Sequence, residues 1–391
     1  MKENNFYPKQ SLPRTKTTLE RPIQILSKKE KNMPNKEKIE KRSIDINKTL
    51  VDALKQMDQL DCKLLLVFKN DFFNSIVSIG DIQRAIIKGL NLNESLESCL
   101  RKNIRLGHTE DSKDELKHLM QKFRMEFLPI LSSSNELKDV WFWDDIFGNE
   151  EPEISQFQLP VVIMAGGKGT RLKPITNIIP KPLIPIGEKP IIEWITDSFV
   201  KAGVKDFFVS VNYKKEMIKR YFDEIPNKEY AMHYFSETEP LGTGGSLHLL
   251  KDKLKETFFV TNCDILIKQD YSEILDFHLQ NNNELTLVSA LKHYSIPYGT
   301  VETEAGGKMT AFKEKPELSF QVNAGMYILE PHLLNEIPEN TFYHITDLIE
   351  KIKSRGGNVG VFPVSEGAWM DIGEWKEYNN TMSRLGLTAN L

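Results

Sequence analysis

The chain has 391 residues, 40% of them apolar and 27% charged, with a net charge of −4. That length suits two domains or three with ordinary globular cores, and the acidic excess argues against a nucleic-acid binder, which calls for a basic one. Three scattered cysteines form neither a metal spacing nor a disulfide framework, eight histidines show no HxxxH or HExxH pattern, and no apolar run reaches the length of a membrane span. A cytoplasmic chain without zinc is expected.

Residues 1–42 are polar, basic and broken by proline, and they read as a disordered basic arm, with Met33 as an alternative start. Residues 43–148 read as one unit written twice. The first copy predicts a helix over 50–57, strands over 64–68 and 74–79, and a helix opened by Gly80-Asp81-Ile82. The second predicts a helix over 115–123, strands over 126–131 and 139–143, and a helix opened by Asp144-Asp145-Ile146. Residues 149–160 form an acidic, proline-bounded linker, and 161–391 a catalytic domain in which strands and helices alternate. Strands are expected over 161–165, 207–211, 257–261, 285–290, 326–329 and 359–364, and helices over 191–202, 215–222, 271–280, 345–354 and 374–385. The alternation implies an α/β fold with a doubly wound, mostly parallel sheet, whose ligands sit at the carboxyl ends of the strands.

The strand at 161–165 runs into Gly166-Gly167-Lys168-Gly169-Thr170-Arg171. A glycine-dense turn lets backbone N–H groups approach phosphate oxygens, and Arg171 and Lys181 add fixed positive charge. No Gly-Lys-Ser/Thr closes the loop, so it is not a Walker A motif. The stretch carries Gly166, Gly167, Gly169, Thr170, Arg171, Leu172, Pro174 and Thr176, then Pro180, Lys181, Pro182, Leu183 and Pro185. In this it resembles the signature of the sugar-1-phosphate nucleotidyltransferases, GGxGTRLxPxT followed by PKPLxP.

The resemblance implies a Rossmann-like catalytic domain of the nucleotide-diphospho-sugar transferase type. It also implies a Mg²⁺-dependent displacement in which a sugar 1-phosphate attacks the α-phosphorus of an NTP and pyrophosphate leaves. Arg171 then serves the β- and γ-phosphates and Lys181 the α-phosphate. Asp264, at the end of an apolar strand, and Asp371 hold the metal; an aspartate after a strand also serves as a turn former or N-cap.

A second glycine loop, Leu241-Gly242-Thr243-Gly244-Gly245, resembles the segment that lies against base and ribose. Upstream of it, Glu237 and Glu239 bear on base choice, because one carboxylate can accept both N1–H and N2–H₂ of guanine, whereas an amide suits the single N3–H of uracil or thymine. GTP is therefore preferred, with UTP or dTTP as the alternative. Gly299, Glu314, Lys315 and Asn323 resemble sugar- and sugar-phosphate-binding positions. The acceptor expected is mannose 1-phosphate or glucosamine 1-phosphate, with glucose 1-phosphate or N-acetylglucosamine 1-phosphate as alternatives.

The repeat at 43–148 resembles a tandem CBS pair. In that family aspartates at the positions of Asp81 and Asp145 bind an adenosine nucleotide, and each is equally a good N-cap for its helix. Phe142 stands in the second copy where Ser78 stands in the first. A homo-oligomer is expected, and a reading in which the chain only senses nucleotides is the rival to catalysis.

Overall fold

The computed structural model describes residues 35–148, 155–237, 239–384 and 386–387, together with the backbone of 17–18 and 23–24. The Met33 start, most of the expected arm and the first half of the linker lie outside the described residues. The chain divides into two units, residues 1–153 and 154–391.

In the first unit both copies of the repeat build the same small pattern. Ser43–Asp45 pairs parallel with Leu64–Lys69, which pairs antiparallel with Phe72–Ser78. Gly107–His108 pairs parallel with Phe127–Leu131, which pairs antiparallel with Leu137–Phe142. Leu64, Phe73 and Ile76 of one copy share a core with Phe127, Leu137 and Phe142 of the other. Thr49, Ser78 and Ser112 each close a capping box on the helix that follows, worth about 1 kcal/mol apiece. The expected arm is shorter than its 1–42 reading: Lys36–Lys41 is helical, because Ile39 finds a buried place in that core.

The second unit is built on seven strands: β1 (Val161–Met164), β2 (Asp206–Val211), β3 (Ala231–Ser236), β4 (Phe258–Asn262), β5 (Leu285–Ser295), β6 (Glu317–Leu329) and β7 (Val359–Val364). Their order across the sheet is β3-β2-β1-β4-β6-β5-β7. All run parallel except β6, which is antiparallel to both neighbours. Val161, Val162 and Ile163 are fully buried, as a continuous apolar run in a sheet covered on both faces requires.

Helices α1 (Ile191–Lys201), α2 (Lys215–Asp223), α3 (Tyr271–Gln280), α4 (Ile345–Ser354) and α5 (Trp375–Arg384) alternate with the strands. Ile191, Ile192, Ile195 and Phe199 of α1 meet Phe207 and Phe259 in one core layer, while Ile345, Leu348 and Ile352 of α4 meet Val260 and Leu329 in the other. Each such side chain contributes about 1.5–3 kcal/mol on leaving water. Among the described residues no helix is long and apolar enough to cross a membrane.

Candidate active site

Backbone pairing assembles the site before any side chain takes part. Strands β1 and β4 are neighbours with Met164 beside Asn262, and Cys263 N–H donates to Met164 O at 3.2 Å. The glycine loop and Asp264 therefore leave the sheet at the same end. Ile265–Ile267 pairs antiparallel with Trp369–Asp371, setting Ile265 opposite Asp371, and Ile372 N–H donates to the Asp264 carbonyl at 2.9 Å. Two aspartates remote in sequence are held side by side.

The loop turns back through Gly169, whose φ is +62°. A Cβ there would stand 2.9 Å from the Lys181 Cβ and 3.0 Å from the Thr176 Cγ2, so the left-handed turn and the close approach both require glycine. The buried Thr176 hydroxyl donates to Gly169 O at 3.0 Å. From β2's end, Tyr213 donates its hydroxyl proton to Thr176 O at 3.0 Å and Lys214 its ammonium to Asn177 O at 2.6 Å. Lys181 opens a single 3₁₀ turn, Lys181–Leu183, behind Pro180, and its ammonium forms a largely buried ion pair with Asp264.

The charges at this centre are not balanced. Burial first, and the neighbouring Asp264 carboxylate second, push the Asp371 carboxyl above its ordinary range, against the Gly373 N–H, Lys181 and Arg171, which pull it down. Two facing carboxylates, only one of them paired with a cation, are oxygen donors of the kind a hard divalent metal takes, and the residues present fit such an ion. Cys263 is buried beside Asp264 and pushed up to about 12, so it stays a neutral thiol and is no nucleophile.

The other expected positions fall into three groups. Gly166, Gly167 and Thr170 lie on the first loop, where the direction a Gly167 Cβ would take is open and Thr170 begins a 3₁₀ turn. Glu237 is a brace: its carboxylate accepts from the Ser210 hydroxyl at 2.7 Å and from Leu241 N–H at 2.9 Å, tying β2 to the second glycine loop. Glu239 is exposed. Gly299 and Glu314 come together, a Cβ on Gly299 reaching to 3.0 Å from the Glu314 Oε2. Lys315 follows with a φ of +43°. The Asn323 amide is turned onto the Tyr327 hydroxyl at 2.8 Å and Gly325 N–H at 2.9 Å.

The glycines of the second loop face the chain itself. Cβ atoms at Gly242, Gly244 and Gly245 would stand 2.7 Å from Tyr343 O, 2.8 Å from Ile345 N and 2.6 Å from Thr341 O. The Thr243 hydroxyl accepts from Ile345 N–H at 3.2 Å. On the side where a Cβ would project, each of these glycines leaves room for the backbone of 341–345.

In the first unit Asp81 is buried and occupied. Its Oδ2 accepts from Ser78 N–H at 2.9 Å, and its Oδ1 faces Arg84 at 2.6 Å and Arg101 at 2.8 Å. Asp145 pairs with Lys38, and Phe142 gives its helix no side-chain cap.

The nucleotidyl transferase family model matches residues 160–386, which takes in the glycine loop, Lys181 and both aspartates. The chain belongs to the nucleotidyl transferase family. It is 35% identical over 224 residues to a mannose-1-phosphate guanyltransferase of Yarrowia lipolytica, covering 56% of this chain and 61% of that one. It is 33% identical over 228 residues to mannose-1-phosphate guanylyltransferase 1 of Arabidopsis thaliana, covering 56% and 63%. The chain thus spans under two thirds of the length of these relatives. A crystal structure of HddC from Yersinia pseudotuberculosis aligns with 25% identity and a TM-score of 0.45, over 58% of this chain and 99% of the other.

The loop and the two aspartates are marked in the sequence; other parts of this site are not. Tyr213, Lys214, Trp375 and Tyr378 bond the backbone of the stretch that follows the glycine loop, at 173–185, and Glu374 meets its arginine. Only the apolar–polar junction after β2 marks the first two, and nothing local marks the others.

Proposed function

We propose that the chain transfers a guanylyl group from GTP to a sugar 1-phosphate of the mannose or glucosamine type, with Mg²⁺, releasing pyrophosphate. The observation that carries this reading is the Lys181–Asp264–Asp371 cluster at the foot of the glycine loop. Relatives named for guanylyl transfer to mannose 1-phosphate support the choice of base and acceptor.

In this reading a phosphate oxygen of the sugar attacks the α-phosphorus of the nucleotide, and the bond to the β-phosphate oxygen breaks. Lys181, held between two prolines, meets the α-phosphate and screens the two reacting anions from each other. Arg171 receives charge on the leaving pyrophosphate. The aspartates would hold Mg²⁺, which would supply charge neutralisation at the phosphates. Positioning and charge neutralisation supply the rate, as phosphoryl transfer demands. Gly299, Glu314, Lys315 and Asn323 contact the sugar phosphate. With Glu237 acting as a brace, base selection falls more on Glu239 and the loop backbone.

The reaction belongs to the cytoplasm and serves precursors of surface polysaccharide or nonulosonate. The repeated unit is a CBS-like module that pairs subunits, and the engaged Asp81 argues for capping over ribose binding there.

The test is pyrophosphate release with Mg²⁺, offering GTP, UTP, dTTP, CTP and ATP against mannose, glucosamine, N-acetylglucosamine and glucose 1-phosphates. Release with GTP and one sugar supports the reading. Release confined to UTP or dTTP keeps the chemistry and overturns the base. No release with any pair, while nucleotide binding persists, favours the sensing alternative.

A further inference from the structure

The segment after Asp371 lies across the phosphate loop. The Trp375 indole N–H donates to Lys173 O at 3.2 Å, and the Tyr378 hydroxyl donates to Pro185 O at 2.9 Å. These two bonds grip the signature stretch on either side of Lys181. Between them and Asp371 stand Gly373 and Glu374. A Cβ on Gly373 would lie 3.2 Å from the Arg171 Nη2, so the guanidinium rests on bare backbone. Its Nη1 meets the Glu374 Oε1 at 3.0 Å.

Glu374 immediately precedes α5, a position where a short polar side chain usually turns back to cap its own helix. The Glu374 carboxylate instead reaches across 203 residues of sequence to the one arginine of the glycine loop. Both partners are more than half exposed, so the pair is weak and exchangeable. A carboxylate and a phosphate offer the same planar guanidinium similar two-oxygen acceptors.

We infer that Glu374 is a placeholder for the leaving-group phosphates: it presents Arg171 in a fixed position over Gly373 and is displaced by the β- and γ-phosphates of the nucleotide. The inference rests on the assignment of Arg171 to those phosphates. Because Trp375 and Tyr378 anchor the segment, only the Glu374 side chain has to swing. Glu374 is a positioning residue that acts through Arg171, and it competes with the ligand: occupancy of the pair lowers apparent phosphate affinity by the fraction of Arg171 left available.

The experiment is calorimetric titration of the full chain with inorganic pyrophosphate in the presence of Mg²⁺, for wild type, Glu374→Gln, Arg171→Gln and the double variant. Glu374→Gln is expected to bind pyrophosphate about two- to five-fold more tightly, the range an exposed pair allows. Arg171→Gln weakens binding, and adding Glu374→Gln to it brings no further gain. In steady state the same Glu374→Gln variant lowers KM for the nucleotide more than it changes kcat, a split that a merely structural role would not produce.

Unchanged or weaker pyrophosphate binding in Glu374→Gln overturns the inference. Binding by Arg171→Gln equal to wild type overturns the Arg171 assignment and the inference with it. Tighter binding in Glu374→Gln, without pyrophosphate release by wild type from any nucleotide and sugar pair, leaves the inference standing and sinks the proposed function.

Discussion

At the amino end of β5 the Arg355 guanidinium lies between Glu284 and Glu336, at 3.0 Å and 2.7 Å, with His332 closing on Glu284 at 2.8 Å. At the carboxyl ends of β1 and β4, Asp264 pairs with Lys181 and lies beside Asp371. Ligand atoms of Glu284, His332 and Glu336 lie within 4.8 Å of one another, a spacing that would suit a metal. Yet Arg355, first, and then His332 and the Asn358 N–H hold the Glu284 carboxyl down at about 2. At the other end burial and like charge drive Asp371 upward. One carboxylate is held ionised by cations that the chain supplies; the other is buried beside a like charge that opposes its ionisation. Two acidic clusters of one fold thus meet opposite surroundings.

The comparison can be broken most sharply at Asp264. Asp264→Asn should lower turnover by about 10³-fold, measured as pyrophosphate release on protein whose circular dichroism is unchanged. Activity near wild type would remove the aspartate pair from the chemistry.

Gly244→Ala comes next. Its Cβ would meet Ile345 N at 2.8 Å, and forcing the segments apart should cost about 1–3 kcal/mol in urea unfolding. Unaltered stability without ligand would show that the backbone of 341–345 does not hold this loop closely.

Glu284→Gln should cost about 2 kcal/mol at pH 7. The folded-state carboxyl is depressed from an ordinary 4.5 to about 2, so the wild-type advantage is full above pH 4.5 and fades as the pH falls towards 2. A difference that grew on acidification would refute the network, and turnover per folded molecule should not change. Smallest is Trp375→Phe, which removes one indole donor to Lys173 O and should cost about 1 kcal/mol of stability.

Much of this fold could be read from sequence because buried parallel strands leave unbroken apolar runs. Val359–Val364 and the helices Tyr271–Gln280 and Ile345–Ser354 stand where their patterns put them. Ala231–Ser236 did not announce itself: it is an edge strand with exposed Ala231 and His233, carrying neither a run nor a clean alternation. The outer halves of β5 and β6, through Tyr294 and Phe320, extend the ladder away from the core, where pattern no longer records burial.

In the site, the Arg171, Lys181, Asp264 and Asp371 positions were legible because the loop chemistry fixes residue type and spacing. Glu374 was not, since its partner is remote and an exposed glutamate before a helix looks ordinary. The bracing bonds of Glu237 to Ser210 and Leu241 were not legible either, because a carboxylate near a loop and one that braces that loop have the same sequence.

The return of residues 369–378 to the glycine-loop stretch ties closure of the core to assembly of the site. All seven strands of the sheet lie before residue 365, yet Ala368, Met370 and Ile372 are buried in the same core layer as Ile163 and Ile191. The segment that brings Asp371, Glu374 and Trp375 to the loop is therefore also a wall of the core. Substitutions that loosen its packing are expected to disturb stability and the geometry beside Arg171 together.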